Sequence, residues 1–447
     1  MAASLSKPSD ISNINLNEAH FFSLPSQGNL YTLTPLTDAK GYTKLLVASL
    51  QRKIYCLEYS NGRPVIREVP FTYIPGGAEI ISIDAVNRSV IQEDFIVGIT
   101  IIKKDDATGQ SSCFFNVYSD WDLTCDSALD IVSQNCLPLE LEFIPYQLYH
   151  TKTQGKSGWE TIWVLSGSDC QIHLYLSDEE SHGYQEIDGS EAFPEFALIK
   201  GITLWVDIEY SSDNKRRVTA ASGENGRVHL FLVNLETSPK VDGSRVMEWD
   251  YPVPSVKIFQ LISHIPVPNA LQSFVSSVPA KAEDKRVEES NVVVPSSLES
   301  CFVYKNVFDE CTGCLLDDTD ANDVVTCCIV CDIDHDGQNE VLIGTYGQVI
   351  LIFKQAESGQ WDSHHTVTVP DPVLSMIHCD VMGDGTLQLI VMTISGIHIF
   401  QHDPWEMASL LLNRLENLLD PKTANSDIEG EQLNGREIAK VEMEKEE

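Results

Sequence analysis

Along most of the chain, short runs of aliphatic and β-branched residues alternate with polar turns, and they come in pairs whose second member ends on an aromatic residue. Lys44-Leu-Leu-Val-Ala-Ser-Leu-Gln-Arg-Lys-Ile-Tyr55 is one such pair, and Phe95-Ile-Val-Gly-Ile-Thr-Ile-Ile102 begins another. Thr161-Ile-Trp-Val-Leu-Ser-Gly167 leads to Ile172-His-Leu-Tyr175, and Arg217-Val-Thr-Ala-Ala-Ser-Gly223 leads to Val228-His-Leu-Phe231. Glu340-Val-Leu-Ile-Gly-Thr-Tyr-Gly347 with Ile350-Leu-Ile-Phe353, and Leu389-Ile-Val-Met-Thr-Ile-Ser-Gly396 with Ile397-His-Ile-Phe400, continue the series. Runs of this length and composition predict strands, and each pair predicts a hairpin. A further unit is supplied by Val256-Lys-Ile-Phe259 and Ser300-Cys-Phe-Val-Tyr304. A repeated hairpin unit buries its free face only by stacking on the next copy, so the expected fold is an all-β, seven-bladed β-propeller over residues 20–402.

Two segments break the pattern. From Asn269 to Glu299 the chain is charged and weakly periodic, which predicts a disordered insertion. After the last repeat, Asp403-Pro404 with Glu406 reads as an N-cap, a first-turn proline and a capping acid, and Pro421 closes the segment. An amphipathic helix is therefore expected over residues 403–421. Trp405, Ala408, Leu411, Leu415 and Leu418 lie at helical spacing along it, widened by Leu412 and Leu419. That stripe would pack on the propeller or dock on a partner, with Trp405, Leu411, Leu415 and Leu418 as the candidate contacts. Residues 1–19 are expected to be flexible, and residues 422–447 to form an acidic, disordered tail.

Charge narrows the function. Asp and Glu number 66 against 30 Lys and Arg, a net charge of -36, so nucleic acid and anionic lipid would be repelled by the average surface. Without a signal-peptide pattern or a long apolar run, the protein reads as soluble and intracellular, with no direct membrane insertion. In that reducing setting the twelve cysteines, several inside apolar runs, read as small buried hydrophobes. The zinc-like spacing of Cys311, Cys314, Cys328 and Cys331 is set aside, because Cys328 and Cys331 share a strand and point to opposite faces.

The sharpest chemical motif is Asp332-Ile-Asp334-His-Asp336-Gly-Gln338-Asn-Glu340. Oxygen donors at alternate positions around a glycine turn can converge on a hard cation. The loop is shorter than an EF-hand, and strands rather than helices flank it. Asp332, Asp334, Asp336, Gln338 and Glu340 are thus candidate calcium ligands, although a metal-free turn held by aspartate-to-backbone bonds is the preferred reading. A second copy, Asp380-Val-Met382-Gly-Asp384-Gly-Thr-Leu-Gln388, has lost two of the acids while keeping the turn. No catalytic residue, enzyme or cofactor site is nominated. Gly155-Lys-Ser157 has His150 where a phosphate loop needs its first glycine, and three Trp-Asp dipeptides at Trp121, Trp249 and Trp361 sit out of register for WD repeats.

The Asp332 loop and the apolar strand behind it resemble the FG-GAP blades of integrin alpha subunits. Beyond that loop, the order of several segments resembles the kaptin family. These are Ser26-Gln-Gly-Asn-Leu-Tyr31, Phe71-Thr-Tyr-Ile-Pro75, Ala78-Glu-Ile-Ile-Ser-Ile-Asp84, Val97–Lys103, Ile172-His-Leu-Tyr175 and Leu411-Leu-Asn-Arg-Leu415. The resemblance implies a scaffold subunit of the KICSTOR complex, paired with a second FG-GAP propeller. Such a subunit would help bring a GTPase-activating complex to lysosomes in nutrient-responsive target-of-rapamycin signalling. It also implies an alternative, F-actin binding at lamellipodia and stereocilia. Lys215-Arg216-Arg217 is the best local basic patch for that role, against an otherwise acidic chain.

Overall fold

The computed structural model describes residues 14–60, 62–104, 109–120, 129–155, 158–178, 183–261 and 290–419, with side chains to residue 412. The described residues form seven four-stranded sheets, one for each expected blade. In each of the first six, consecutive strands pair in simple order. The sixth, for example, runs Val325–Cys331, Glu340–Thr345, Val349–Gln355 and Trp361–Thr368, all antiparallel.

Burial follows position within a blade. The second strand lies between neighbouring blades on both faces, so Glu340–Thr345 and Gln388–Thr393 are buried at every residue. This accounts for the unbroken apolar runs inside them, Val341–Gly344 and Leu389–Met392. An outermost strand such as Lys240–Glu248 alternates exposed and half-buried positions, as one solvated face requires. Between blades, apolar side chains interlock. Phe115 and Trp163 meet edge to face at 5.9 Å between the second and third blades, and Phe259 and Trp361 do so at 6.0 Å between the fifth and sixth.

Polar groups on the innermost strands tie the ring together. Asp84, in the second blade, accepts from Thr34 Oγ1 of the first (3.1 Å) and from the backbone N–H of His150 in the third (2.6 Å). Asp207 in the fourth blade accepts from Lys257 Nζ (3.0 Å) and the N–H of Ile258 (2.7 Å) in the fifth. Tyr31, just ahead of the first blade, donates to the Leu204 carbonyl of the fourth at 2.9 Å, a bond that reaches across the ring.

The seventh blade fixes how the ring closes. Its order is Leu16–Ser23, Gly396–His402, Gln388–Thr393, Val373–Cys379, so the N-terminal strand completes the last sheet. The closure is tight: a Cβ on Gly396 would lie 2.1 Å from the Phe22 carbonyl oxygen. Glu18 holds His398 Nδ1 at 2.7 Å, and Phe21 lies over the same imidazole at 4.6 Å.

Three expected boundaries shift. The strand begins at Leu16, because residues 16–19 pair into the seventh sheet rather than belonging to a flexible start. Asn291-Val-Val-Val294, placed in the insertion, is a wholly buried strand of the fifth blade; residues 269–289 lie outside the described residues. The helix runs Pro404–Leu419, while residues 420–447, including the expected tail, lie outside the described residues. Cys327, Cys328 and Cys331 are buried in the sixth blade as expected, and burial pushes the Cys327 and Cys328 thiols up to about 12. Cys170 is exposed. No described helix is long and apolar enough to cross a membrane.

Candidate functional site

The Asp332 loop joins the first two strands of the sixth blade. Its shape comes from carboxylates accepting backbone N–H groups: Gly337 donates to Asp332 Oδ2 (2.9 Å), Asp336 to Asp334 Oδ1 (3.2 Å) and Gln338 to Asp336 Oδ1 (2.8 Å). His335 and Gly337 take positive φ, at 58° and 93°, which lets so short a segment reverse. At its end Glu340 is fully buried and accepts the Ile333 N–H at 2.9 Å, tying the loop base to the second strand.

Of the five candidate ligands, the fold gathers Asp332, Asp334 and Glu340, whose carboxylate oxygens lie within 4.8 Å of one another. Asp336 faces the cluster from an exposed position, whereas Gln338 is exposed and enters only through its backbone. The spacing suits a cation, since two oxygens bound to one calcium ion stand up to about 5 Å apart. Sequence reasoning missed that a cation is already supplied. Lys354, on the third strand, places Nζ against Asp334 Oδ2, 2.7 Å from Asp336 Oδ2 and 3.2 Å from Glu340 Oε1. The Glu340 contact is an ion pair rather than a hydrogen bond. Two buried carboxylate oxygens, Asp332 Oδ1 and Glu340 Oε1, have no hydrogen-bond partner among the described residues. Calcium needs six to eight oxygen ligands. With the ammonium in place, the residues present do not fit that ion.

The electrostatics pull in opposite directions: burial disfavours the charged carboxylates, while the carboxylates favour the charged ammonium. Burial raises the Glu340 carboxyl to about 7, helped by Asp334 and opposed by Lys354. Burial and the neighbouring aspartates also raise Asp332, against the Gly337 N–H. Burial would lower Lys354, but Asp334, Asp336 and Glu340 outweigh it and raise the ammonium. In the second copy of the loop, Asp380 accepts the N–H groups of Gly383 (2.6 Å) and Gly385 (2.8 Å), and Gln388 Oε1 accepts that of Val381 (3.0 Å). The same side-chain-to-backbone bonding therefore shapes both turns.

The other candidate site is the C-terminal helix. Asp403 Oδ1 caps it, accepting from the N–H of Trp405 (2.8 Å) and Glu406 (3.2 Å). Trp405 is 83% exposed, and Leu411 and Leu412 are each 59% exposed. Leu415 and Leu418 fall on the helical backbone, but their side chains lie outside the described residues.

The fold removes Arg217 from the basic patch and leaves Lys215 and Arg216 exposed. Arg217 is buried and donates to both oxygens of the fully buried Glu195, Nε at 3.0 Å and Nη2 at 2.9 Å. Lys215 stays at the surface between Asp213 and Glu236, each 3.8 Å away.

Comparison with known proteins settles the family. The family model described as KICSTOR complex protein kaptin matches residues 16–412, which spans all seven blades and the start of the helix. The chain belongs to the kaptin family. KICSTOR complex protein kaptin from Mus musculus is 33% identical over 417 residues, covering 91% of this chain and 93% of the mouse protein. Among solved structures, a chain of the crystal structure of BBS1N in complex with ARL6DN, soaked with mercury, superposes with a TM-score of 0.51. At 8% identity, covering 87% of this chain and 97% of that one, it is similar in fold alone.

Proposed function

We propose that this kaptin-family chain is a non-enzymatic scaffold subunit of a KICSTOR-type assembly. In this reading the assembly restrains target-of-rapamycin signalling when amino acids or glucose are scarce, by helping recruit a GTPase-activating complex to lysosomes. The observation that carries the reading is the family match along nearly the whole propeller. The helix supports it. An isolated amphipathic helix is marginal in water, and one that leaves Trp405, Leu411 and Leu412 exposed gains by docking them in an apolar groove. We assign that helix to a partner subunit, a second FG-GAP propeller being the expected one. The protein would then be cytoplasmic and reach the lysosomal surface through the complex.

Affinity purification from cells tests this with the intact chain, a truncation after Pro404, and a Trp405→Asp/Leu411→Asp variant. Other KICSTOR subunits should be recovered with the intact chain and drop at least tenfold with the other two. Recovery of actin in place of those subunits would overturn the scaffold reading in favour of the cytoskeletal one. That alternative now has less to stand on, since Arg217 of its basic patch is buried against Glu195.

A further inference from the structure

The two copies of the acidic loop differ at a coordinated set of positions, beginning with Asp334, which is answered by Met382 in the seventh blade. In the sixth blade the buried residue at the loop's end is Glu340, and the residue after Phe353 on the third strand is Lys354. In the seventh blade the equivalent positions hold Gln388, and Gln401 after Phe400. The equivalence is set by register, because Val341 pairs with Phe353 as Leu389 pairs with Phe400. An anion–cation pair in one blade is replaced by two neutral amides in the next. Glu340 and Gln388 otherwise do the same work, each accepting the backbone N–H of the loop's second residue, Ile333 or Val381.

We propose that Lys354 is the built-in cation of the sixth-blade loop, taking the place that a divalent ion would take among Asp334, Asp336 and Glu340, so that this blade holds its shape without calcium. Three acidic side chains converge there, and Glu340 has no exposure to solvent. Like charges brought so close require a counter-charge. A tethered ammonium provides it at any calcium concentration, whereas a weak loop of this type needs about 0.1–1 mM of the free ion.

The test compares the full-length chain with Lys354→Ala and with Glu340→Gln/Lys354→Gln, which copies the seventh blade at those two positions. Thermal unfolding is followed in a chelator and in about 5 mM calcium, a concentration that would saturate such a site, and calcium binding is measured by calorimetry. The natural chain should melt at the same temperature in both and bind no calcium. Lys354→Ala should melt about 2–4 °C lower in chelator and regain much of that loss in calcium. The double variant should recover stability in chelator and ignore calcium, which distinguishes charge compensation from lost packing of the lysine stem. Calcium binding or stabilisation of the natural chain would overturn the proposal. So would a double variant no more stable than Lys354→Ala, or a single variant that fails to fold while the double variant also fails.

Discussion

Replacing Arg217 with methionine keeps much of the buried volume and removes one charge. The guanidinium is 2% exposed, lies 3.9 Å from the centre of the Phe193 ring, and donates to both oxygens of Glu195 and to the Ala192 carbonyl (2.9 Å). Thr219 Oγ1 also donates to Glu195, at 2.9 Å. Without Arg217, Glu195 keeps only that hydroxyl, inside a site with no solvent contact. Breaking a buried ion pair from one side costs about 3–5 kcal/mol. For a cooperative unit of this size, unfolding entropy of about 2 cal/mol/K per residue converts this to roughly 1 °C per kcal/mol, a fall of about 3–5 °C. Urea unfolding of the full chain gives the free energy directly. Glu195→Gln/Arg217→Met removes both charges and should recover about 2 kcal/mol or more relative to the single variant. Lys215→Ala, at an exposed site, should change stability by about 0.5 kcal/mol or less. A single-variant loss below about 1 kcal/mol, or no recovery in the double variant, would refute the idea that the pair is an obligate buried unit.

Other outcomes can be checked on the same preparation. Burial lowers the His150 pKa, but Asp84, 2.7 Å from Nδ1, outweighs it and raises the imidazole above its usual value. Stability from that pair is therefore complete below about pH 6.5 and fades as pH rises through the higher folded value. His150→Asn should flatten this part of the pH–stability curve, and an unchanged slope would count against the pair. Gly396→Val should expel the N-terminal strand, since its Cβ would meet the Phe22 carbonyl at 2.1 Å. Limited proteolysis should then cut near Ser23 at least tenfold faster, and unaltered cleavage would show that the strand tolerates the change.

Fold class was legible because strand content and blade count are written in local order. Runs such as Phe95–Ile99 and Val341–Gly344 are continuously apolar because each lies between two blades. The helix was legible for the same local reason, through Asp403 as a cap and the spacing of Trp405 and Leu411. The acidic loop was visible as alternating aspartates, and the three that cluster are a subset of those read. Sequence also placed Asn291–Val294 wrongly, because four residues beside a charged stretch carry too little periodicity to stand out.

What the sequence alone determined is the fold class, most of the inner hairpins in their order and the chemistry of the acidic turns, all properties of residues near one another in the chain. Only the tertiary structure decided which groups far apart in sequence would share a dielectric environment. Lys354 is just another basic residue on a strand until pairing in the sixth blade carries its ammonium to Asp334, Asp336 and Glu340. Arg217 belonged to a surface patch until Glu195 was folded onto it, and Leu16–Ser23 belonged to no sheet until it met Gly396–His402 from the opposite end. The cost of a buried charge and the pairing of an open strand edge are satisfied by partners that the fold selects, and spacing along the chain does not encode them.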